Sequence, residues 1–250
     1  MRKFTLLFAA LIVAGVAAIP AFAATTTSTV SGTIKPSKAG TVKKPAGTSL
    51  FTQVTTTNDD GTQPPPARTT VLTYGKEFEF YGENFPKCSK ALLDAQGPTV
   101  CPKGSQVGTG SSDALLGAAP IKNIKVTAFN GGKRKIELYV GAPLQKTIEG
   151  VQKGGKGKPK TLTFSVPKEA INPVGNTYSS ITRFGATIVA KGKKNGKTIN
   201  YVETTGCPSG GIKVDSKWIF ATKAEFPTMP DSLLSSTPTQ TDSKKIKCTK

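Results

Sequence analysis

The sequence predicts an all-β fold: an antiparallel β-sandwich of immunoglobulin-like or jelly-roll-like type, with one short helix in a disulfide-closed loop. Three observations lead there. Short runs alternating apolar and polar residues recur along the chain, bounded by Gly, Pro and Asn. Long stretches of helical periodicity are missing beyond residue 23. Thr, Val, Ile, Gly and Pro are abundant, which suits strands and tight turns. At 250 residues the chain is long enough to enclose a substantial core.

The first segment, 1–23, has the pattern of an export signal. Arg2 and Lys3 form a charged start and Phe4–Ile19 an apolar run. Pro20 and Ala21-Phe22-Ala23 then supply a small-x-small cleavage site. The run is short for a bilayer span. The expected product is therefore secreted or cell-surface associated, with no membrane span in the mature chain. A short polar tail, 24–29, and a single β-sandwich domain, 30–250, should follow. A division into two smaller sandwiches near Ser111–Pro120 is the alternative.

Along the domain, Val30–Ile34, Leu50–Thr56 and Thr69–Tyr74 are strand candidates. Glu77-Phe78-Glu79-Phe80-Tyr81 alternates cleanly, placing Phe78 and Phe80 inward and Glu77 and Glu79 in solvent. A hairpin joins Ile124–Phe129 to Lys133–Val140 through Asn130-Gly131-Gly132. A three-residue loop is preferred, because it sets Val126 against Ile136 and Lys125 against Glu137, one apolar pair and one ion pair. Leu162–Val166 is a further alternating strand. A second hairpin, Phe184–Lys194 with Lys197–Gly206, turns at Asn195-Gly196, the strongest short hairpin signal. Its register puts Glu203 on an apolar face, where a rim position or a Lys partner would satisfy it. Val214–Ala221 is the last clear strand, with Trp218 and Phe220 on its inner side. Gly150–Lys160 is expected to be a loop and Pro227–Ser243 a polar connector.

Four cysteines after an export signal imply two disulfides and allow three connectivities. Cys88–Cys101 with Cys207–Cys248 is favoured. Between the first pair, Ser89 can cap a short helix and Gly97 can end it. Each bridge would contribute roughly 3–4 kcal/mol by loop entropy.

Phe85-Pro86-Lys87-Cys88, followed by Cys101-Pro102-Lys103-Gly104-Ser105-Gln106-Val107-Gly108-Thr109-Gly110, resembles a group of uncharacterised secreted proteins found mostly in actinobacteria. Pro36–Thr41 and Thr205-Gly206-Cys207-Pro208 match the same group. The resemblance implies export, a β-rich fold and structural cysteines, and it transfers no catalytic residues.

Several chemistries are excluded or weakened. The chain has no His, so it has no His-based triad and no His metal site. No Cys-x-x-Cys pair is present, and no P-loop. Gly154-Gly155-Lys156-Gly157-Lys158 lacks phosphate-loop spacing. Asn58-Asp59-Asp60-Gly61 lacks the later ligands of a calcium loop and is expected to be a turn. No metal and no cofactor is expected.

The charge is the loudest signal. Lys and Arg number 34 against 15 Asp and Glu. Without Arg2 and Lys3 the balance is 32 to 15, a net charge of +17. Only four of the basic residues are Arg. Clusters lie at Lys43-Lys44, Lys133–Lys135, Lys153–Lys160, Lys191–Lys197 and Lys244–Lys247. Candidate polyanion contacts are Lys153, Lys156, Lys158 and Lys160 in the first Gly-rich loop, and Lys193, Lys194 and Lys197 at the Asn-Gly turn. Specific nucleic-acid recognition leans on Arg and stacked aromatics, and neither clusters with these lysines.

The expected function is that of an exported, non-enzymatic structural or binding protein of the cell surface, held to acidic envelope polymers or glycans by its lysine excess. The alternatives are a carbohydrate-binding or adhesive module, in which an exposed aromatic row would do the work, and more remotely a carboxylate-based hydrolase. Solubility alone is the competing explanation of the lysines.

Overall fold

The computed structural model describes residues 24–250; the export signal expected at 1–23 lies outside the described residues. The fold is all-β. Its strands are β1 (Thr26–Lys35), β2 (Ala46–Gly47), β3 (Ser49–Asn58), β4 (Ala67–Tyr74), β5 (Phe78–Phe80), β6 (Gln106–Leu116), β7 (Ala119–Gly132) and β8 (Lys135–Val140). They continue with β9 (Lys146–Lys153), β10 (Lys160–Ser165), β11 (Ser179–Ile188), β12 (Lys191–Lys194), β13 (Lys197–Asn200), β14 (Val202–Thr204), β15 (Ile212–Phe220) and β16 (Thr239–Ile246). Two short helices, α1 (Lys90–Gln96) and α2 (Lys168–Ile171), decorate them.

Eleven strands form one antiparallel sheet in the order β1-β3-β11-β6-β7-β8-β9-β10-β4-β15-β16. Its two edges lie against each other. The Val30 amide donates to Asp242 Oδ2 at 2.7 Å, and Gln240 Nε2 donates to the Thr26 carbonyl at 2.7 Å. The sheet is thus a nearly closed barrel, and the expected sandwich is corrected on this point. Alternation cannot tell the two apart, since both bury one face of each strand. Closure depends on whether the edge strands meet, and here the closing strand is β16. Its sequence, TQTDSKKI, buries only Ile246 and carries no apolar alternation. It lies partly in the segment expected to be a connector. At the other edge, β1 starts at Thr26, inside the expected tail. Ser111–Pro120, the alternative domain division, lies within the paired β6–β7 hairpin.

The barrel interior is lined by Val30, Leu50, Leu72, Val126, Leu138, Ile148, Leu162, Val214 and Trp218, all buried. Strand β6, missed because it is rich in Gly and Ser, needs those glycines for a close approach. A Cβ on Gly108 or Gly110 would stand 2.2 or 2.0 Å from a carbonyl oxygen of β11.

Antiparallel order puts the connections at two ends. One, the cap end, holds the small sheet β2-β14-β5, the hairpin β12–β13, α1 and both disulfides. Phe78, Phe80, Tyr201 and Val202 of this cap are buried against the barrel core. The other, the far end, is covered by 166–178 and 221–238, which form a second apolar cluster around Ile171, Tyr178, Phe226 and Met229.

Two expectations hold closely. Cys88–Cys101 and Cys207–Cys248 are the disulfides. Ser89 caps α1, accepting from the Leu92 amide at 3.3 Å, and Gly97 ends it at φ 75°. The Asn195-Gly196 turn also holds, with both residues at positive φ and Lys194 opposite Lys197. Its two arms then diverge, because β11 enters the barrel while β14 joins the cap.

The first hairpin is corrected. Val126 faces Val140, Ala128 faces Leu138 and Phe129 faces Glu137, with a bulge at Gly131 and the turn at Lys133-Arg134. Lys125 pairs with Ser111 of β6, not with Glu137. The cause is Asn130, which is completely buried. Its Nδ2 lies 2.9–3.0 Å from the carbonyl oxygens of Gly82, Phe85 and Pro86. Its backbone also pairs with Ser105 and Cys88. A side chain recruited to anchor the cap cannot serve as the turn residue, so the strand runs on by three residues.

Candidate functional site

The lysine clusters come together at the cap end. The residue 153–160 segment meets β5 there, because the Gly157 amide donates to Glu79 Oε1 at 2.7 Å. Five residues beyond Glu79, Asn84 accepts from Lys194 Nζ of β12 at 2.8 Å. A five-residue chain spans at most about 17 Å, so the two predicted clusters flank one short segment of the cap. The Lys133–Lys135 turn adjoins the same segment, since Asn130 binds the Gly82 carbonyl. Strand β2, just after Lys43-Lys44, pairs with β14 in the cap sheet. The chain's last residues join through the Ala39 amide, which donates to the Thr249 carbonyl at 2.7 Å.

This convergence separates charge along the barrel axis. The cap-end connections, 36–48, 75–105, 133–134, 154–159, 189–211 and 247–250, carry 17 Lys and Arg against 5 Asp and Glu. The far-end connections, 24–25, 59–66, 117–118, 141–145, 166–178 and 221–238, carry 2 against 5. All of the 17 except half-buried Lys90 are exposed. Among the described residues, none of those sixteen is in an ion pair. An unpaired, one-signed surface raises the local concentration of polyanions far more than the same charge scattered or paired.

The predicted contact residues fare unequally. Lys153, Lys156 and Lys158 are exposed, as are Lys193, Lys194 and Lys197. Lys160 is not available. It is 2% exposed, and its Nζ sits 3.0 Å from Glu79 Oε2 and donates to the Lys158 carbonyl at 2.7 Å. Glu79 itself is buried, against the expectation that strand alternation would leave it in solvent. The loop packs over β5 and covers its outer face. The Gly-Lys loop is therefore pinned at its base by a buried ion pair, while Lys156 and Lys158 project from it.

Most of the carboxylates near the cap are engaged. Glu203 stands opposite Glu79 across β14 and β5, half-buried, and accepts from Asn200 Nδ2 at 2.9 Å. Beside them, burial first and then the charges of Glu203 and Glu79 push the Tyr81 hydroxyl up to about 12. Glu137 stands opposite Glu149, which accepts from Lys135 Nζ at 2.6 Å. Glu137 is 1% exposed, on the outer barrel face beside Phe129, where Leu93 of α1 and Cys88 form an apolar cover. Burial, reinforced by Glu149, pushes its carboxyl up to about 7. Its Oε2 has no hydrogen-bond partner among the described residues.

A cleft of about 800 Å³ at the far end is lined by Asp60 and Asp231 among others. Hydrogen bonds from Thr62 hold Asp60 below the usual carboxylate range, and Lys223 does the same for Asp231. Trp218 is 1% exposed and belongs to the core. Asp59 and Asp60 form the expected turn, with Asp60 accepting from the Thr62 amide at 2.9 Å. No group of three or more metal-ligating side chains occurs among the described residues. The chain matches no protein-family model and no curated protein.

Sequence reasoning located the lysines but could not bring them together. It missed Asn130 and Lys160 as anchors. Their sole signals, an Asn before Gly-Gly and a Lys heading an apolar strand, are also those of a turn and an exposed strand end.

Proposed function

We propose that the protein is an exported, non-enzymatic binding protein of the cell surface, which attaches by its cap end to acidic envelope polymers or glycans. One observation carries this reading: sixteen exposed basic residues, free of ion pairs among the described residues, crowd one end of a barrel whose other end is net acidic. Two disulfides suit an oxidising compartment, and among the described residues no helix is long and apolar enough to cross a membrane. The leader-like residues 1–23 support export.

Lysines fit this task. Each is a hydrated point charge with rotatable donors, suited to a flexible polyanion more than to a planar, bidentate target. A sugar-stacking platform finds less support, because among the described residues the exposed large hydrophobic ones, Val42, Val100, Val174, Val189 and Ile219, are all aliphatic. A two-carboxylate hydrolase also finds less support. Glu79 and Glu149 are held by Lys160 and Lys135, and Asp60 and Asp231 lack the raised pKa of a general acid.

The test is retention of residues 24–250 on an immobilised acidic polysaccharide and on a phosphodiester polymer across a salt series. Log affinity should fall linearly with log salt, since each contact releases condensed counterions. Retention that is absent at low salt, or indifferent to salt, would overturn the proposal.

A further inference from the structure

The barrel lumen is not completely filled. An internal cavity of about 90 Å³ runs between its walls. Native cores rarely hold voids much larger than a water molecule, which needs about 10–15 Å³. A nearly closed sheet of eleven strands encloses more space than side chains fill in an eight-stranded barrel, and among the described residues no helix runs through it.

The lining fixes the chemistry of an occupant. Among the described residues no charged side chain lines the cavity, and Leu72, Ile148, Phe164, Phe184 and Trp218 are typical of it. Its hydroxyls are largely committed: Tyr74 donates to Thr52 Oγ1 at 3.1 Å, and Thr56 pairs with Ser28 at 3.2 Å. Water, which needs two to four polar partners, finds few here.

The shape fixes the class further. On β3 the lining runs from Leu50 to Thr56, and on β4 from Ala67 to Tyr74. Seven or eight residues of a strand tilted as in barrels cover roughly 15–18 Å along the axis. A small volume drawn out over that length is a slender slot, too narrow for a ring system and suited to an unbranched chain. The cap end of the slot is closed by Phe80 and Tyr74, whereas at the far end it reaches Val166, under the segments that cover the barrel there.

We infer that the lumen is a binding site for an uncharged, linear aliphatic chain, such as one lipid tail. The site is independent of the lysine-rich cap.

Trp218 is the single tryptophan of the chain and lines the slot, so its fluorescence reports occupancy. The protein is titrated with 10-bromo-1-decanol, whose bromine quenches indole on contact, with 1-decanol as competitor. Saturable quenching of at least half the signal, reversed by 1-decanol, is expected. Ala186→Leu and, separately, Val54→Phe fill the slot from β11 and β3. Each variant that keeps its near-ultraviolet circular dichroism should lose the quenching at least tenfold in apparent affinity. Quenching that rises linearly without saturating, or that survives in a folded slot-filling variant, would show contact at the surface only and overturn the inference. Absence of quenching in the unaltered protein would overturn it too.

Discussion

The two ends of the barrel are closed by different chemistry. The far end is shut by an apolar cluster, with Met229 and Ile171 fully buried and Phe226 edge-on to Tyr178. The cap end is shut by polar anchors set into an apolar sheet: Asn130 holding three carbonyls, and Lys160 paired with Glu79. This contrast explains why the lysines gather where they do. Polar anchors fix long, irregular, Gly-rich connections without consuming apolar residues. Those connections are then free to carry charge outward on Lys156, Lys158, Lys193 and Lys197.

The largest effect should come from breaking the cap's ion pair. Lys160→Ala leaves Glu79 buried without its cation and should cost about 3–5 kcal/mol in chemical denaturation. Replacing both partners by apolar residues of similar size should restore most of that stability. An effect below about 1 kcal/mol for Lys160→Ala would mean that the pair does not anchor the loop.

At the far end, Met229→Ala should cost about 2–5 kcal/mol through the cavity it leaves. That cost should not change between pH 5 and 8, nor with salt, because the substitution removes only apolar side-chain atoms and leaves Lys223 on the Met229 carbonyl and Lys168 over the Phe226 ring. A salt-dependent loss would erase the contrast between the ends.

Glu137, near the cap end, should make stability depend on pH. Its folded-state pKa of about 7 lies above the ordinary value of 4.5. Between those values the unfolded chain has released a proton that the folded protein keeps. Stability from this group therefore falls as pH rises from about 4.5 to 7 and stays low beyond. Glu137→Gln should be close to neutral at pH 4 and stabilising by roughly 3 kcal/mol at pH 8. A variant whose advantage is the same at both pH values would contradict the buried, protonated carboxyl.

The legible parts of this molecule are those whose signals are local. Ser89 and Gly97 bound a helix seven residues long, and Asn195-Gly196 forces a tight turn, so neighbours in sequence decide each. Asn130 carries a turn signal just as strong, but carbonyls 44 to 48 residues away claim its amide. Lys160 looks like an exposed strand end until β5, 81 residues earlier, supplies Glu79. Barrel closure was hidden for the same reason. Strand β16 meets β1 where its Asp242 carboxylate accepts from the Val30 amide and its Gln240 amide donates to the Thr26 carbonyl, and nothing in TQTDSKKI announces these bonds. For the site, the lysines were visible but their convergence was not, because it depends on which loops share an end.

The smallest expected effect concerns the exposed lysines themselves. Lys156→Gln, Lys193→Gln and Lys197→Gln should each change stability by no more than about 0.5 kcal/mol. That near-silence in stability makes them clean probes of binding.

The central claim, that position on the cap and not total charge makes the binding surface, is tested by two triple variants of equal net charge. One carries Lys156→Gln, Lys193→Gln and Lys197→Gln at the cap. The other carries Lys122→Gln, Lys125→Gln and Lys217→Gln, also exposed but on the barrel wall. Affinity for the acidic polymer is measured across a salt series. The cap variant should lose slope in log affinity against log salt, by about one for each lysine in contact, while the wall variant keeps the slope of the unaltered protein. Equal loss in both variants would contradict the account, because net charge alone would then explain the binding.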